Sequence, residues 1–167
     1  MSRRRSPFAA LVALAASSAL LLGGCSSDEQ KAEDTIEQAA EDAGESVDVD
    51  IDGEDITIEN SDGTVSMGGD LPAGFPADDV PLADGDVMLG MGAEGEGFQV
   101  TIAYDGAPDE AMQEAVDLLE GAGFAVDESG DFGGMQTATL TSDAYTVYVS
   151  ATDAEGQTAL IYAVEVA

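Results

Sequence analysis

Apolar and acidic residues alternate from Val47 onward, with Val47, Val49 and Ile51 each followed by Asp. A period of two is the signature of a strand with one apolar side. Asp52-Gly53 interrupts the pattern, Ile56 and Ile58 resume it, Asn60-Ser61-Asp62-Gly63 interrupts it again, and Val65 and Met67 complete it. Residues 47–70 therefore read as a small β-meander. Three short strands with one thin apolar side are marginal alone, so this unit either docks on a neighbour or stays mobile.

Residues 71–85 contain Leu71-Pro72-Ala73-Gly74-Phe75-Pro76 and Val80-Pro81-Leu82. Proline fixes φ and biases the preceding residue toward extended backbone, so this stretch is a semi-rigid connector. From residue 86 the alternation returns in Val87, Leu89 and Met91, and then in Phe98, Val100, Ile102 and Tyr104. Pro108 with Asp109 and Glu110 opens a helix, because proline suits the first turn and carboxylates suit the positive end of the dipole. Met112, Ala115, Val116, Leu119 and Ala122 supply its apolar stripe, and Gly121 and Gly123 close it. Strands follow around Phe124 and Val126, up to Leu140, through Tyr145, Val147 and Val149, and through Leu160, Tyr162, Val164 and Val166.

The expected fold of residues 86–167 is α+β, an antiparallel sheet of about six strands with one helix on a face. Ahead of the meander, residues 25–46 form an acidic tether, partly helical or disordered. Ala32, Ile36, Ala39 and Ala43 fall on one helical side there, but the stripe is too thin to hold a partner strongly.

The opening of the chain follows a different pattern. Arg3, Arg4 and Arg5 precede an uncharged, mostly apolar run from Pro7 to Leu22. That run is shorter than the roughly 20 residues of a membrane-crossing helix, and a basic start before a short apolar run is the layout of a secretory signal peptide. Arg4-Arg5 suggests a twin-arginine signal, but Pro7 favours the general secretory route. The run ends Leu22-Gly23-Gly24-Cys25, which resembles a bacterial lipobox: an apolar residue, two small residues and a cysteine. The resemblance implies a signal peptide over residues 1–24 and acyl lipid on Cys25. The membrane is then a partner through that lipid, and the mature chain sits on the extracytoplasmic side of the cell membrane. Acyl anchoring of this kind contributes about 0.8 kcal/mol per buried methylene. The Leu71–Pro76 and Val80–Leu82 segments, the helix end Leu119-Glu-Gly-Ala-Gly-Phe124 and Tyr145-Thr-Val-Tyr-Val149 resemble small envelope lipoproteins of unassigned role. This second likeness implies a fold and no chemistry.

Charge narrows the function classes. The chain has 35 acidic and 4 basic residues and a formal charge of −31. With residues 1–24 removed, Lys31 alone faces all 35 acids. Phosphate contacts need Lys and Arg, so nucleic acid is excluded as a partner, and anionic headgroups repel the domain as well. The chain has no His and a single Cys. Imidazole catalysis, thiolate catalysis and ordinary zinc ligation therefore have no residues to work with. Only a carboxylate pair could catalyse, and with so many acids no pair stands out.

Asp48, Asp50, Asp52 and Glu59 satisfy the D-x-D-x-D-G-x5-E spacing of a calcium loop, in which carboxylates ring the ion. Calcium is the one cofactor the spacing raises. Against it, Asp55 stands where the loop needs an apolar residue, no amphipathic helix follows, and the alternation favours a hairpin turning at Asp52-Gly53. Gly90, Gly92, Gly95 and Gly97 lack a lysine, and Glu94 and Glu96 would repel phosphate, so they read as a strand connection. Tyr104, Tyr145, Tyr148 and Tyr162 read as core-edge residues or as the lining of a ligand groove. The sequence thus points to a non-catalytic, lipid-anchored binding or interaction module, with an envelope protein as its partner. A calcium-binding surface protein is the alternative, and a carboxylate hydrolase comes after it.

Overall fold

In a computed structural model, which describes residues 26–42, 46–61, 63–154 and 156–167, the alternating segments pair into one antiparallel sheet. Residues 1–25 lie outside the described residues, and with them the signal peptide and Cys25. The described residues form nine strands and two helices. The strands are β1 (Val47–Asp52), β2 (Asp55–Asn60), β3 (Gly63–Met67), β4 (Asp86–Ala93), β5 (Gly97–Tyr104), β6 (Ala125–Phe132), β7 (Met135–Thr141), β8 (Tyr145–Ala154) and β9 (Gln157–Val166). Helix α1 spans Ser26–Asp42 and α2 spans Pro108–Gly121. The order across the sheet is β1-β2-β3-β4-β5-β9-β8-β7-β6. After β5 the chain crosses by way of α2 to the far edge, then meanders back until β9 closes against β5.

The α+β class and the antiparallel sheet agree with the sequence reading, but the strand count and the helix placement do not. Of the two outcomes expected for the meander, docking on its neighbour is the one found, and it extends the expected six strands to nine. Thr64, Val65, Ser66 and Met67 of β3 pair with Gly92, Met91, Gly90 and Leu89 of β4, so one sheet runs through both. The physical reason is that β4 pairs with β5 along one edge only, leaving a second row of backbone donors and acceptors that β3 satisfies. There are also two helices rather than one. Residues 26–42 of the expected tether form α1, which lies along β1.

The core sits on one side of β5, β9, β8 and β7, built from residues such as Val100, Ile102, Leu160, Tyr162, Val149 and Leu140. Ala111, Met112, Ala115 and Leu119 of α2 cover it. The connector covers the rest through Val80 and Ala83, with Leu71, Phe75 and Leu82 at its margin. Phe75 meets Phe98 edge-on, with ring centroids 5.7 Å apart. Gly90 lets the connector in, because a Cβ there would stand 2.5 Å from Cδ of Pro72.

Sequence signals at both ends of α2 take the form of specific bonds. The Glu110 carboxylate accepts the Ala107 N–H at 3.2 Å, satisfying a donor that the helix start leaves open. At the other end Phe124 N–H donates to the Leu119 carbonyl and Gly123 N–H to that of Glu120, both at 3.0 Å. Those two bonds make a Schellman motif, and Gly123 takes its left-handed position at φ 97°.

Candidate functional site

Residues directly opposite each other in paired strands share a side of the sheet, so the register sorts every side chain. The row Asp50–Thr57–Ser66–Gly90–Val100–Tyr162–Val149–Ala138 runs on the core side. It is apolar under α2 and the connector and becomes polar and acidic toward β1. Two rows run on the other, open side. One is Val49–Ile58–Val65–Met91–Gln99–Ala163–Tyr148–Thr139, and the other is Ile51–Ile56–Met67–Leu89–Thr101–Ile161–Ser150–Thr137. The apolar surface of the chain therefore changes sides between β4 and β5.

Charge follows the same division. Those two rows hold sixteen positions from β1 to β7 and no charged residue, while Glu128 continues one of them into β6 and Glu165 stands on the same side two residues beyond Ala163. At the chain's overall 23% charged residues, sixteen positions would carry about four. The acids of the first hairpin, Asp48, Asp50, Asp52, Asp55 and Glu59, all stand on the core side. Ile51, Ile56, Ile58, Val65, Met67, Leu89 and Met91 on the open side are half-buried. The described helices lie elsewhere, α1 along β1 and α2 over β6 to β9.

Helix α1 closes the β1 edge. Glu29, Glu33 and Glu37 recur every four residues, and their carboxylates accept the backbone N–H of Gly53 at 3.3 Å, Ile51 at 2.9 Å and Val49 at 3.2 Å. Two periods coincide here. Four helical residues advance about 6 Å and two strand residues about 6.7 Å, so one ladder of carboxylates meets one ladder of donors. An edge strand with unpaired donors is a site of unwanted pairing, and these donors are capped. Ala40 and Val49 are buried where the two elements touch.

The four residues of the calcium spacing lie in a hairpin, with Gly53-Glu54 as its two-residue turn. Asp48 stands opposite Glu59, Asp50 opposite Thr57, and Asp52 opposite Asp55. The structure thus brings Asp48 and Glu59 together as a pair and strings Asp50 and Asp52 along the strand. Asp48 and Asp52 are about 13 Å apart along an extended backbone, whereas calcium ligands lie within about 2.6 Å of the ion. Among the described residues no group of three or more His, Cys, Asp or Glu could hold a metal ion.

A broad open groove of about 770 Å³ follows α2, lined by Asp109, Glu110, Gln113, Glu114, Asp117, Leu118 and Gln136. Its Glu114 carboxylate is occupied: it accepts the Tyr104 hydroxyl at 2.8 Å and the Asp84 N–H at 3.0 Å. That bond to Glu114 holds the Tyr104 proton and raises its pKa above the ordinary value. The carboxylate joins helix, strand and connector. Tyr162 has a similar structural task. It is fully buried, its hydroxyl oxygen accepts the Ala83 N–H at 3.0 Å, and burial pushes its pKa up to about 12. The tyrosines therefore do not gather into one groove, and Tyr148 alone of the four stands exposed.

The sequence reading missed the carboxylate ladder of α1 and the charge-free rows. The four-residue spacing of Glu29, Glu33 and Glu37 is visible in the chain, but its partners are backbone groups that no side-chain pattern marks. No helix of the described residues is long and apolar enough to cross a membrane. No family model, no curated protein and no solved structure matches the chain.

Proposed function

We propose that this chain is a non-catalytic protein of the cell envelope, held at the membrane by lipid on Cys25. It acts as an interaction module, binding a partner through the open side of β1–β5. The observation that carries the binding role is the segregation of charge, sixteen positions without an acid in a chain that holds 35 of them. Over β1–β4 these positions are all apolar and contiguous, and a surface of this kind favours being covered. Anchoring is supported by the Leu22-Gly23-Gly24-Cys25 sequence behind a short apolar run. The acidic domain repels anionic headgroups and stands off the bilayer, which leaves the open side to a protein rather than to lipid. A non-catalytic role is supported by the residues at hand: no His, no second Cys, and a binding surface whose rows hold neither acid nor base.

The test uses full-length chains carrying Val65→Cys or Asp50→Cys, one on each side of the sheet, in the native envelope. With Cys25 acylated, only the introduced thiol reacts with a membrane-impermeant maleimide. The Val65→Cys rate is expected to rise at least fivefold on detergent extraction and dilution, while the Asp50→Cys rate stays level. Equal behaviour of the two would remove the binding role. A Cys25→Ala chain should leave the membrane fraction or accumulate as precursor, and mature-sized protein persisting in that fraction would remove the anchoring role.

A further inference from the structure

We infer that α1 is a rigid mount rather than a stalk: it holds the lipid-bearing start of the chain at the Gly53–Glu54 end of the first hairpin, so this end of β1–β3 faces the bilayer. The inference rests on the anchoring role proposed above and is independent of the binding role.

Chain direction and the carboxylate ladder together fix which end is mounted. Glu29 reaches Gly53, Glu33 reaches Ile51 and Glu37 reaches Val49, so α1 runs antiparallel to β1 with its N-terminal end at the turn. Ser26 opens the helix and follows Cys25 directly in the chain. It precedes Glu29 by three residues, about 4.5 Å along the helix axis. An extended chain over residues 26–46 would reach about 70 Å and let the domain turn freely above the membrane. Docked on β1, the same residues leave the lipid within about one helical turn of Gly53. The dock is held at both ends, by the Glu29 bond at the turn and by the burial of Ala40 and Val49 further along.

Charge sets the tilt. The lipid pins the turn to the bilayer, and a formal charge of −31 repels anionic headgroups and lifts the rest of the sheet away from them. Lying on the core side of the first hairpin is the least favourable pose, because it presses Asp48, Asp50, Asp52, Asp55 and Glu59 against the headgroups. Strands β1–β3 therefore rise from the bilayer, with Ser61 about 20 Å further from it than Glu54. The open side of these strands faces along the membrane and is presented to neighbours held in the same bilayer. Sheet twist carries the later strands off this direction, so the orientation belongs to β1–β3.

The chain supplies its own blank for the test, because it has no Trp. Glu54→Trp and Ser61→Trp each place a single indole at an exposed turn, at opposite ends of β2. Each full-length lipidated chain is reconstituted in vesicles of phosphatidylethanolamine and phosphatidylglycerol that contain a dansyl-headgroup lipid. Energy transfer from Trp to dansyl is read, and flotation of the same vesicles reports anchoring. Transfer from Glu54→Trp is expected to exceed that from Ser61→Trp by about threefold or more, given their separation along the strand. Glu29→Ala, Glu33→Ala and Glu37→Ala, combined in each chain, remove the carboxylate ladder while alanine preserves the helix. The difference should then disappear with flotation unchanged. Chains that float but transfer equally with the ladder intact would overturn the mount and leave the anchoring role standing. A difference that survives loss of the ladder would overturn α1 as its cause. Chains that do not float would overturn the anchoring role and the mount with it.

Discussion

Tyr162 shows how much one hydroxyl can carry in this fold. Its ring lies in the core and its oxygen accepts the Ala83 N–H, fastening the connector to β9. Tyr162→Phe keeps the ring but leaves a buried N–H without an acceptor, a loss of about 1–3 kcal/mol at neutral pH. The same residue sets an alkaline limit. A folded pKa of about 12 against an ordinary value of 10.0 means the folded state holds the proton more tightly. The resulting stability is fully present below pH 10 and is lost as pH rises toward 12, by at most about 2–3 kcal/mol. Urea denaturation at pH 8, 10 and 11.5 checks both statements. Tyr162→Phe should be weaker at pH 8 and lose less between pH 10 and 11.5, with the raised Tyr104 accounting for some of the remaining fall. Parallel losses in the two proteins would show that the hydroxyl is not shielded.

At the scale of single elements, α2 offers a paired test in which two glycines two residues apart respond in opposite directions. Gly121 ends the helix with no positive φ and open space around its Cα, so Gly121→Ala should stabilise by about 0.5–1 kcal/mol. Gly123 also has open space but sits at φ 97°, so Gly123→Ala should destabilise by about 1–2 kcal/mol with no clash involved. Midpoints of chemical denaturation decide it, and shifts of the same sign would mean the Schellman motif does not end the helix. Both glycines were legible as a helix stop because the apolar stripe runs out beside them. The strands were legible too, since β1–β5 and β7–β9 each alternate with period two. Helix α1 was legible only in part. Of its stripe of Ala32, Ile36, Ala39 and Ala43, the first two are half-buried, but Ala39 is exposed, Ala40 is buried in its place, and Ala43 lies outside the described residues. The stripe misled because Glu29, Glu33 and Glu37 set the rotation of the helix, turning their carboxylates toward the β1 backbone. A helix positioned by bonds to main-chain donors leaves little trace in its hydrophobic pattern.

Across the whole molecule, what could not be read from the sequence is how separated segments join. Periodicity assigns each strand an apolar side but does not say which sides end up together across a connector. The pairing of β3 with β4 fixes that. It sets Val65 beside Met91 and Met67 beside Leu89, and through them it joins the apolar side of the first hairpin to the side of β4 that faces away from the core. The candidate site exists only because of that pairing. Of the residues that stood out in the sequence, the acids of the calcium spacing do not contribute to it, and among the tyrosines only Tyr148 stands in its rows. If the first three strands were an independent meander, the charge-free rows would be two unconnected stripes and the binding role would have no surface to rest on. The direct measurement is NMR on isotope-labelled full-length protein, reading NOEs across the β3–β4 junction together with backbone relaxation on both sides of it. One continuous sheet should give cross-strand NOEs from Val65 to Met91 and from Met67 to Leu89, with a single rotational correlation time for β1–β3 and β4–β9. Absent NOEs at those pairs, with β1–β3 tumbling on a time of their own, would contradict it.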